Sequence, residues 1–280
     1  MNSVLRFEHV TLSFGDDEHP ALKDVSFDVK QGQTRILFGA AGSGKSVTLK
    51  CALGLLKPQS GRVFLFDNDI TDLEESQLFE MRAKAGILFQ ESALFDSLTV
   101  RGNVAYPLLN QRIAGQKKVQ AESEDVERRV REALRFVELE QTLDKFPSEL
   151  SGGMRRRVGI ARAAVTEPAL TLYDSPTAGL DPITANTIVA LIVKARDTRN
   201  TTSMLVTHRY QDGQMMANYA FNPQTNALEH AAENSDVHRN TVFMVFNEGS
   251  LVFEGLQEQL EASQDPYLAR FKAGSSLKHQ

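Results

Sequence analysis

Residues 39–46 form a glycine-rich segment that constrains the fold of this chain more than any other part of its sequence. They read Gly-Ala-Ala-Gly-Ser-Gly-Lys-Ser, which fits the phosphate-binding loop pattern. In such a loop, successive backbone N–H groups point inward around phosphate oxygens. The pattern requires a strand before it and a helix after it, and the sequence predicts a buried strand over 34–38 and an apolar helix over 47–56. The segment therefore predicts a binding site for ATP or GTP.

Individual residues of this loop have predicted roles. Lys45 is expected to reach the β- and γ-phosphates, and the Ser46 hydroxyl is placed to coordinate Mg²⁺. The candidate nucleotide-binding residues of the loop are Gly39, Ala40, Ala41, Gly42, Ser43, Gly44, Lys45, Ser46 and Val47. The predicted cofactors are therefore a nucleotide, ATP in the first place, and Mg²⁺.

Composition limits the class of protein. The chain has 280 residues, of which 41% are hydrophobic and 24% charged, as in an ordinary globular protein with a sizeable core. Its net charge of −5 argues against general nucleic-acid binding. Cys51 is the only cysteine, so no disulfide framework is expected, which fits a reducing cytoplasm. No apolar run is long enough to span a bilayer, and the start lacks the apolar core of a signal peptide. A membrane process would be served from the cytoplasmic face through a partner.

Strands and helices are predicted to alternate along most of the chain. The predicted strands are 4–7, 10–14, 22–29, 34–38, 62–66, 86–89, 169–173 and 202–206, and the predicted helices are 47–56, 154–166 and 183–196. Thr71 and Glu74 have the spacing of a capping box and predict a further helix that ends near Lys84. This alternation predicts the α/β class, with a mostly parallel sheet covered by helices on both faces.

Residues 91–150 differ from their surroundings because their apolar residues recur at helical spacing between charges. These residues are Val126, Val130, Leu134 and Val137. The pattern predicts a mainly helical insert, with the polar residues 116–125 in a surface loop.

The C-terminal part of the chain is less regular. Residues 222–240 are polar and lack apolar periodicity, which predicts a surface insertion. Residues 241–246 and 251–253 flank a turn and predict a hairpin. The last apolar stretch, 257–272, predicts a helix.

Further segments resemble the motifs of ABC ATPases in order and spacing over residues 4–255. They are Leu150–Met154, which resembles the LSGGQ signature with Met in the last position; Leu170–Asp174, a Walker B strand; Ala178–Pro182, the D-loop; Val206–His208, with the switch histidine; and Gln90, the Q-loop glutamine. The resemblance implies a P-loop NTPase (RecA-like) fold with N-terminal antiparallel strands and a helical ABC subdomain. It implies a single nucleotide-binding domain over 1–280. The ATPase core would comprise 1–89 and 155–255, the helical subdomain 90–154 and a C-terminal tail 256–280.

The resemblance also implies roles for residues outside the loop. Asp174, Ser46 and Gln90 would hold the metal, and Phe14 would stack on adenine, although Phe14 also reads as a core strand residue. The catalytic candidates are His208, Gln90, Asp181 and the residue at position 175. The signature residues Ser151, Gly152 and Gly153 precede a helix whose N-terminus favours an anion. In the family this anion is the γ-phosphate bound by the other subunit, which implies a homodimer.

Two features of the sequence need separate interpretation. ABC ATPases place a glutamate after the Walker B aspartate, but this chain has Ser175, which cannot act as a base near neutral pH. Hydrolysis is then slow, or His208, Asp181 and Gln90 position the water without a carboxylate, or the residue was changed to trap the ATP state. The run Arg155–Arg157 is interpreted as a solvated basic face, not a nucleic-acid surface.

The segments 89–100 and 103–108, the signature ending in Met154, and the tail 265–271 resemble ATPases of the Mla/Mce-type phospholipid transporters. This resemblance implies a peripheral ATPase on the cytoplasmic face of the inner membrane. Its partners would be integral membrane permease subunits, Mce-type lipid-binding proteins and a small accessory subunit. Ser175 and the insertion 222–240 depart from the subgroup pattern.

Two alternatives to phospholipid transport remain. One is the ATPase of a generic small-solute importer. The other is a soluble ABC protein acting on ribosomes or DNA, which would usually carry two nucleotide domains or a long coiled coil. The apolar cluster Ala93, Leu94 and Phe95 is interpreted as a grip for a permease helix or as packing within the insert. The C-terminal helix is expected to contact a neighbouring ATPase or an accessory subunit.

Overall fold

The structure of this chain is a computed structural model that describes residues 2–15, 20–110, 123–232 and 235–272. Its strands are β1 (Ser3–Leu12), β2 (Leu22–Lys30), β3 (Thr34–Gly39), β4 (Ser60–Leu65), β5 (Asn68–Asp69), β6 (Ala85–Leu88), β7 (Leu170–Asp174), β8 (Thr202–Val206), β9 (Tyr219–Asn222), β10 (Ala227–His230), β11 (Thr241–Asn247) and β12 (Ser250–Gly255). Its α-helices are α1 (Lys45–Ala52), α2 (Glu75–Arg82), α3 (Val100–Asn110), α4 (Ser123–Phe136), α5 (Gly152–Ala164), α6 (Pro182–Arg199), α7 (Tyr210–Asn218), α8 (Asp236–Asn240), α9 (Gln257–Ala262) and α10 (Pro266–Lys272).

The central sheet has six strands in the order β12-β11-β3-β8-β7-β6. The pairs from β11 to β6 are all parallel, and β12 joins the edge in antiparallel orientation. Every residue of β3, β7 and β8 is buried, as expected for a parallel sheet with both faces covered. The predicted α/β class, the parallel sheet and the C-terminal hairpin are confirmed.

Successive side chains of β3 point to opposite faces of this sheet and belong to two different parts of the core. Ile36 and Phe38 belong to one buried cluster, which also contains the apolar residues of α3, α4, α5 and α6. Leu37 belongs to the other cluster, which includes α1 and the strands of the second sheet. The two clusters hold the strand that leads into the glycine-rich loop from both sides.

A second sheet of four strands, in the order β2-β1-β4-β5, is antiparallel throughout. It confirms the predicted N-terminal antiparallel strands. The prediction of two separate strands over 4–7 and 10–14 is wrong, because β1 is continuous. Its register shifts between Phe7 and Val10, where His9 adopts a φ of 52°.

The helical insert is confirmed for the part that the structure describes. Val126, Val130, Leu134 and Val137 are all buried and belong to the first core cluster. Residues 111–122 lie outside the described residues, and so does most of the predicted surface loop. Residues 123–125, which were also assigned to that loop, form the first turn of α4.

Two helix boundaries differ from the prediction. Helix α1 ends at Ala52, well before residue 56, and Gly54 follows with a φ of 62°. Helix α2 begins after Glu74, whose N–H is bonded by the Gln77 side chain, so the capping box at Thr71 is wrong. The Thr71 hydroxyl instead accepts from the Val63 N–H and bonds Asp69, which fixes the turn after β4.

The C-terminal third is more structured than predicted. The polar segment 222–240, predicted as a surface insertion, contains β10 and α8, and β10 pairs with β9 in a hairpin around residues 223–226. The predicted single helix over 257–272 is two helices, α9 and α10. Pro266 cannot continue α9, and the Asp265 carboxylate accepts the Tyr267 N–H at 2.7 Å and so starts α10. None of the helices in the described ranges has both the length and the apolar character needed to cross a bilayer.

Candidate nucleotide-binding site

The glycine-rich loop connects β3 to α1, as the sequence predicts. Gly44 is the residue before α1 and has a φ of 100°, which favours glycine. A Cβ atom at this position would lie 2.4 Å from the Ala21 carbonyl oxygen. Both the backbone conformation and the lack of space therefore exclude a side chain at position 44. The first N–H groups of α1 therefore face the loop, where they can bind an anion.

Lys45 lies at the centre of the loop and is only 5% exposed. Its Nζ donates to the carbonyl oxygens of Gly39 at 2.9 Å and Ala40 at 2.6 Å, and to the Ser43 hydroxyl at 3.1 Å. Burial lowers the pKa of Lys45 to about 8, against the opposing charge of Asp174. The ammonium thus donates hydrogen bonds to uncharged oxygens of its own loop. A phosphate oxygen, which is negatively charged, would be a stronger acceptor.

Ser46 and Asp174 come together at the C-terminal end of β7. The Ser46 hydroxyl donates to Asp174 Oδ1 at 3.1 Å. One carboxylate and one hydroxyl fit Mg²⁺, which usually takes few protein ligands and completes its shell with phosphate and water. Over the described ranges, no group of three or more His, Cys, Asp or Glu side chains could hold a metal on its own. When bound, Mg²⁺ would neutralise charge on the phosphates.

Ser175 is buried directly beside this pair. Its hydroxyl donates to Asp174 Oδ1 at 3.3 Å, and its N–H donates to the Val206 carbonyl at 3.0 Å. Its φ of 50° is uncommon for a residue other than glycine, and such strain clusters at functional sites. Position 175 therefore faces the candidate metal ligands but carries no base.

His208 follows β8 and lies beside the loop. Burial of part of the ring and the charge of Lys45 lower the pKa of His208, while the Gly39 carbonyl and Asp174 oppose this shift. The imidazole is therefore held mainly neutral near pH 7 and is close enough to Lys45 and Asp174 for their charges to act on it. The structure brings it together with the loop and β7, as the motif order implied.

A buried carboxylate connects the segment that follows β7 to the segment that follows β8. The sequence motifs did not identify this residue. Asp212 on α7 is fully buried, and its Oδ2 accepts the hydroxyls of Thr177 and Thr207, each at 2.6 Å. Arg209 lies 3.3 Å from Oδ1, and burial raises the Asp212 pKa against these partners. The network fixes the segments that carry Ser175 and His208. Thr177 and Thr207 each follow a predicted strand, and this was the one sequence signal for the network. Asp212 could not be placed from the sequence, because α7 was not among the predicted helices.

The signature and D-loop residues form a separate cluster at two helix N-termini. Ser151 caps α5 and accepts the Met154 N–H at 3.2 Å. Asp181 caps α6 and accepts the N–H groups of Ile183 and Thr184. Hydrogen bonds from the Thr184 side chain and from these N–H groups lower the pKa of Asp181. A Cβ on Gly153 would lie 2.6 Å from Thr184 Cγ2, so the two helix ends are in close contact. Gly152 opens α5 and is exposed.

The remaining candidates, Gln90 and Phe14, lie at exposed positions. Gln90 follows β6 and is exposed. Phe14 follows β1 with 49% of its surface exposed, so its interpretation as a core residue is wrong. An exposed ring after β1 can stack on a planar group such as a nucleotide base.

The arginine run of α5 is not a solvated basic face, contrary to the interpretation above. Arg156 is 5% exposed and donates to the carbonyls of Phe89 at 3.5 Å and Ala178 at 3.2 Å. Arg155 and Arg157 donate to the carbonyls of Leu150 and Val137. These side chains cross-link α5 to neighbouring loops because each guanidinium offers several donors.

A pH dependence of nucleotide binding follows from the environment of Lys45. A bound phosphate favours the charged ammonium and would raise the pKa of Lys45 above its value of about 8 in this structure. Above that pH, binding must take up a proton, so we expect ATP affinity to fall with rising pH by up to about tenfold per unit. Calorimetry in two buffers of different ionisation enthalpy measures this uptake at pH 7 and above pH 8. Constant affinity without proton uptake would contradict it.

The fold and this site define a P-loop nucleotide-binding protein. The family model for the ABC transporter matches residues 22–178, more than half of the chain. Relatives include the methionine import ATP-binding protein MetN 2 of Rhodococcus jostii, 38% identical over 89% of this chain and 69% of the relative. The probable ribonucleotide transport ATP-binding protein mkl of Mycobacterium leprae is 38% identical over 74% of this chain and 57% of the relative. The chain belongs to the ABC transporter family and corresponds to its ATP-binding subunit.

Solved structures agree with this assignment. A dimeric post-hydrolysis state of the ATP-binding cassette MJ0796, bound to ADP and Pi, matches 90% of this chain and 98% of that one with a TM-score of 0.72 and 28% identity. cbiO1 from Clostridium perfringens, part of the ABC transporter complex cbiONQ, matches 96% of this chain and 94% of that one, with a TM-score of 0.74 and 25% identity.

Proposed function

We propose that this chain binds and hydrolyses Mg-ATP as the ATPase subunit of a transporter that moves phospholipid between membranes. The observation that supports nucleotide chemistry is the cluster of Lys45, Ser46 and Asp174, which places a buried cation and two oxygen ligands at one edge of the sheet. Residues 39–47 would hold the phosphates. Ser46, Asp174 and Gln90 would hold Mg²⁺, and Phe14 would stack on the base.

The catalytic part of the site is altered. Without a carboxylate at position 175, His208 is the proposed group to orient water, because it is close enough to Lys45 and Asp174 for their charges to act on its ring. Gln90 and Asp181 would complete the arrangement. We propose a working site with slow turnover, in which ATP binding supplies much of the mechanical change.

The proposed homodimer would bring together residues that belong to two different elements of the fold. Ser151, Gly152 and Gly153 lie at the N-terminus of α5, where a helix favours an anion, whereas Lys45 belongs to the loop before α1. A second copy could bring its signature to the phosphates of this copy. The dimeric ADP- and Pi-bound relative supports this arrangement.

A groove beside β6 is the proposed docking site for a permease helix. It has a volume of about 420 Å³, and its lining includes Gly86, Phe89, Phe95, Tyr106 and Arg162. The rings of Phe95 and Tyr106 lie 4.6 Å apart, and both are 41% exposed. Arg162 donates to the carbonyls at positions 92 and 93, and its guanidinium carbon lies 5.9 Å from the centre of the Phe95 ring. An apolar groove with an aromatic rim suits an amphipathic helix.

The groove leads to a prediction for assembly. Phe95→Asp places a charge in the apolar rim and is expected to abolish co-purification of the permease, while ATP turnover of the isolated chain stays unchanged. Phe79→Asp is the matched control, because Phe79 on α2 is also 41% exposed and lies outside the groove. Retention of the permease by Phe95→Asp would contradict this docking site.

Phospholipid as the substrate rests on the resemblance of 89–100, 103–108 and 265–271 to the Mla/Mce-type ATPases. The buried Asn103 bonds the backbone of Phe95, Leu98 and Thr99 and so fixes the shape of the first of these segments. We propose permease subunits, Mce-type proteins and an accessory subunit as partners at the cytoplasmic face of the inner membrane. We also propose that residues 1–280 form one nucleotide-binding domain.

Small-solute import is the second candidate, favoured by the similarity to the methionine import protein over most of this chain. An experiment on the whole transporter distinguishes phospholipid transport from small-solute import. The complex is purified from its native membranes with this chain as the affinity-tagged subunit and is then reconstituted in liposomes. Phospholipid should co-purify with the complex and stimulate its ATP turnover, whereas methionine should have no effect. Stimulation by methionine alone would favour the importer.

A further inference from the structure

The C-terminal tail of this chain packs against the phosphate loop of the same chain. Tyr267 on α10 donates its hydroxyl to the Phe246 carbonyl at 2.8 Å and accepts the Ala40 N–H at 3.4 Å. Phe271, one turn further, lies 6.2 Å from Phe38, the fully buried residue that precedes the loop. Leu268 between them is buried in the core. The helix is therefore anchored beside the first residues of the loop.

Ala40 is held by hydrogen bonds at both its N–H and its carbonyl. Its N–H meets Tyr267, and its carbonyl accepts from Lys45 Nζ at 2.6 Å. A bound phosphate would draw the ammonium away from this carbonyl. The Tyr267 contact would then remain as a restraint on the start of the loop. Burial raises the pKa of Tyr267, so its hydroxyl stays protonated and can donate to Phe246.

The other helix of the tail, α9, contacts the start of α7. The Tyr210 hydroxyl, two residues after His208, donates to Glu261 Oε1 on α9 at 2.8 Å. The tail thus touches both the phosphate loop and the segment that carries the switch histidine.

We propose that Tyr267 is a positioning residue for the phosphate loop. Its hydroxyl, carried by α10, fixes the Ala40 N–H and makes nucleotide affinity depend on the docked tail. Because coupling is reciprocal, bound nucleotide stabilises the docked tail to the same extent. This inference rests on the proposed function, since it concerns the same nucleotide site.

The test is Tyr267→Phe in the full chain, which removes one oxygen and keeps the ring. We expect the Kd of both Mg-ATP and Mg-ADP to rise by about two- to fivefold, since one neutral hydrogen bond contributes little net free energy. The KM for ATP should rise by the same factor with kcat unchanged. Hydrogen exchange of α10 should slow on ATP binding in the wild type more than in the variant.

Tyr219→Phe is the matched control, because it removes the hydroxyl of another half-buried tyrosine in the β9 hairpin. It should leave both dissociation constants unchanged. If Tyr267→Phe lowers only the melting temperature and binds ATP and ADP like the wild type, the positioning role is overturned. If the wild type itself binds no nucleotide, the proposed function fails first, and its own titration shows this separately.

Discussion

Replacing Lys45 with alanine is expected to lower ATP turnover by about 10²-fold or more and ATP affinity by about tenfold or more. Lys45 is the buried cation of the loop, and its three donors now bind Gly39, Ala40 and Ser43. In the bound state these donors would move to phosphate oxygens, where charge-assisted bonds are stronger. Alanine removes the charge and leaves the loop carbonyls without this donor.

Lys50→Ala provides the matched control for this prediction. Lys50 lies on the same helix, α1, but is exposed, so its loss should leave turnover and affinity close to those of the wild type. Steady-state turnover and calorimetric titration measure both effects. Equal activity of Lys45→Ala and wild type would show that the loop is not the site of nucleotide chemistry.

Replacing Ser175 with glutamate is expected to raise ATP turnover by about 10²-fold, since a general base contributes about 10²- to 10⁴-fold. The position already faces Asp174, because the Ser175 hydroxyl donates to Asp174 Oδ1 at 3.3 Å. ATP affinity should change little because Lys45, Ser46 and Asp174 remain. Turnover under saturating Mg-ATP, with the Kd measured on both proteins, is the readout.

Ser175→Gln distinguishes the charge from the size of the new side chain. Glutamine has nearly the shape of glutamate but cannot act as a base, so it should not raise turnover. If the wild type already hydrolyses ATP as fast as Ser175→Glu, another group orients the water. His208→Ala should then abolish that activity.

The sheet could be predicted because its central strands are short, rich in apolar residues and separated by helices. β3, β7 and β8 are recognisable for this reason, since each must bury both faces. The loop between β3 and α1 was equally clear, because its glycines and lysine have a defined spacing. Local sequence was sufficient for these elements.

Elements set by tertiary contacts could not be predicted. The arginines of α5 look like a polar surface in sequence, yet Arg156 is buried by the backbone of Phe89 and Ala178 from distant segments. The hairpin of β9 and β10 lacks a continuous apolar pattern, since its residues are half-buried or exposed. Pro266 could have indicated the end of a helix, but the spacing of the apolar residues on both sides of it favoured a single helix over 257–272.

The candidate site shows the same division. Motif order identified Lys45, Asp174 and His208, and the structure brings them together. It did not identify Asp212, which contacts Thr177 and Thr207 across the ends of two strands. It also did not reveal the contact of Tyr267 with Ala40, because 227 residues separate them along the chain. Contacts of this kind depend on the register of strands and helices, which sequence patterns do not specify.

Equilibrium binding of Mg-ATP to the purified full chain tests the central claim most directly. Calorimetric titration should show saturable binding with one ATP per chain, and Mg-ADP should compete for the same site. The absence of saturable binding to a folded wild-type chain would contradict the assignment of residues 39–46 as a nucleotide site, and with it the proposed function.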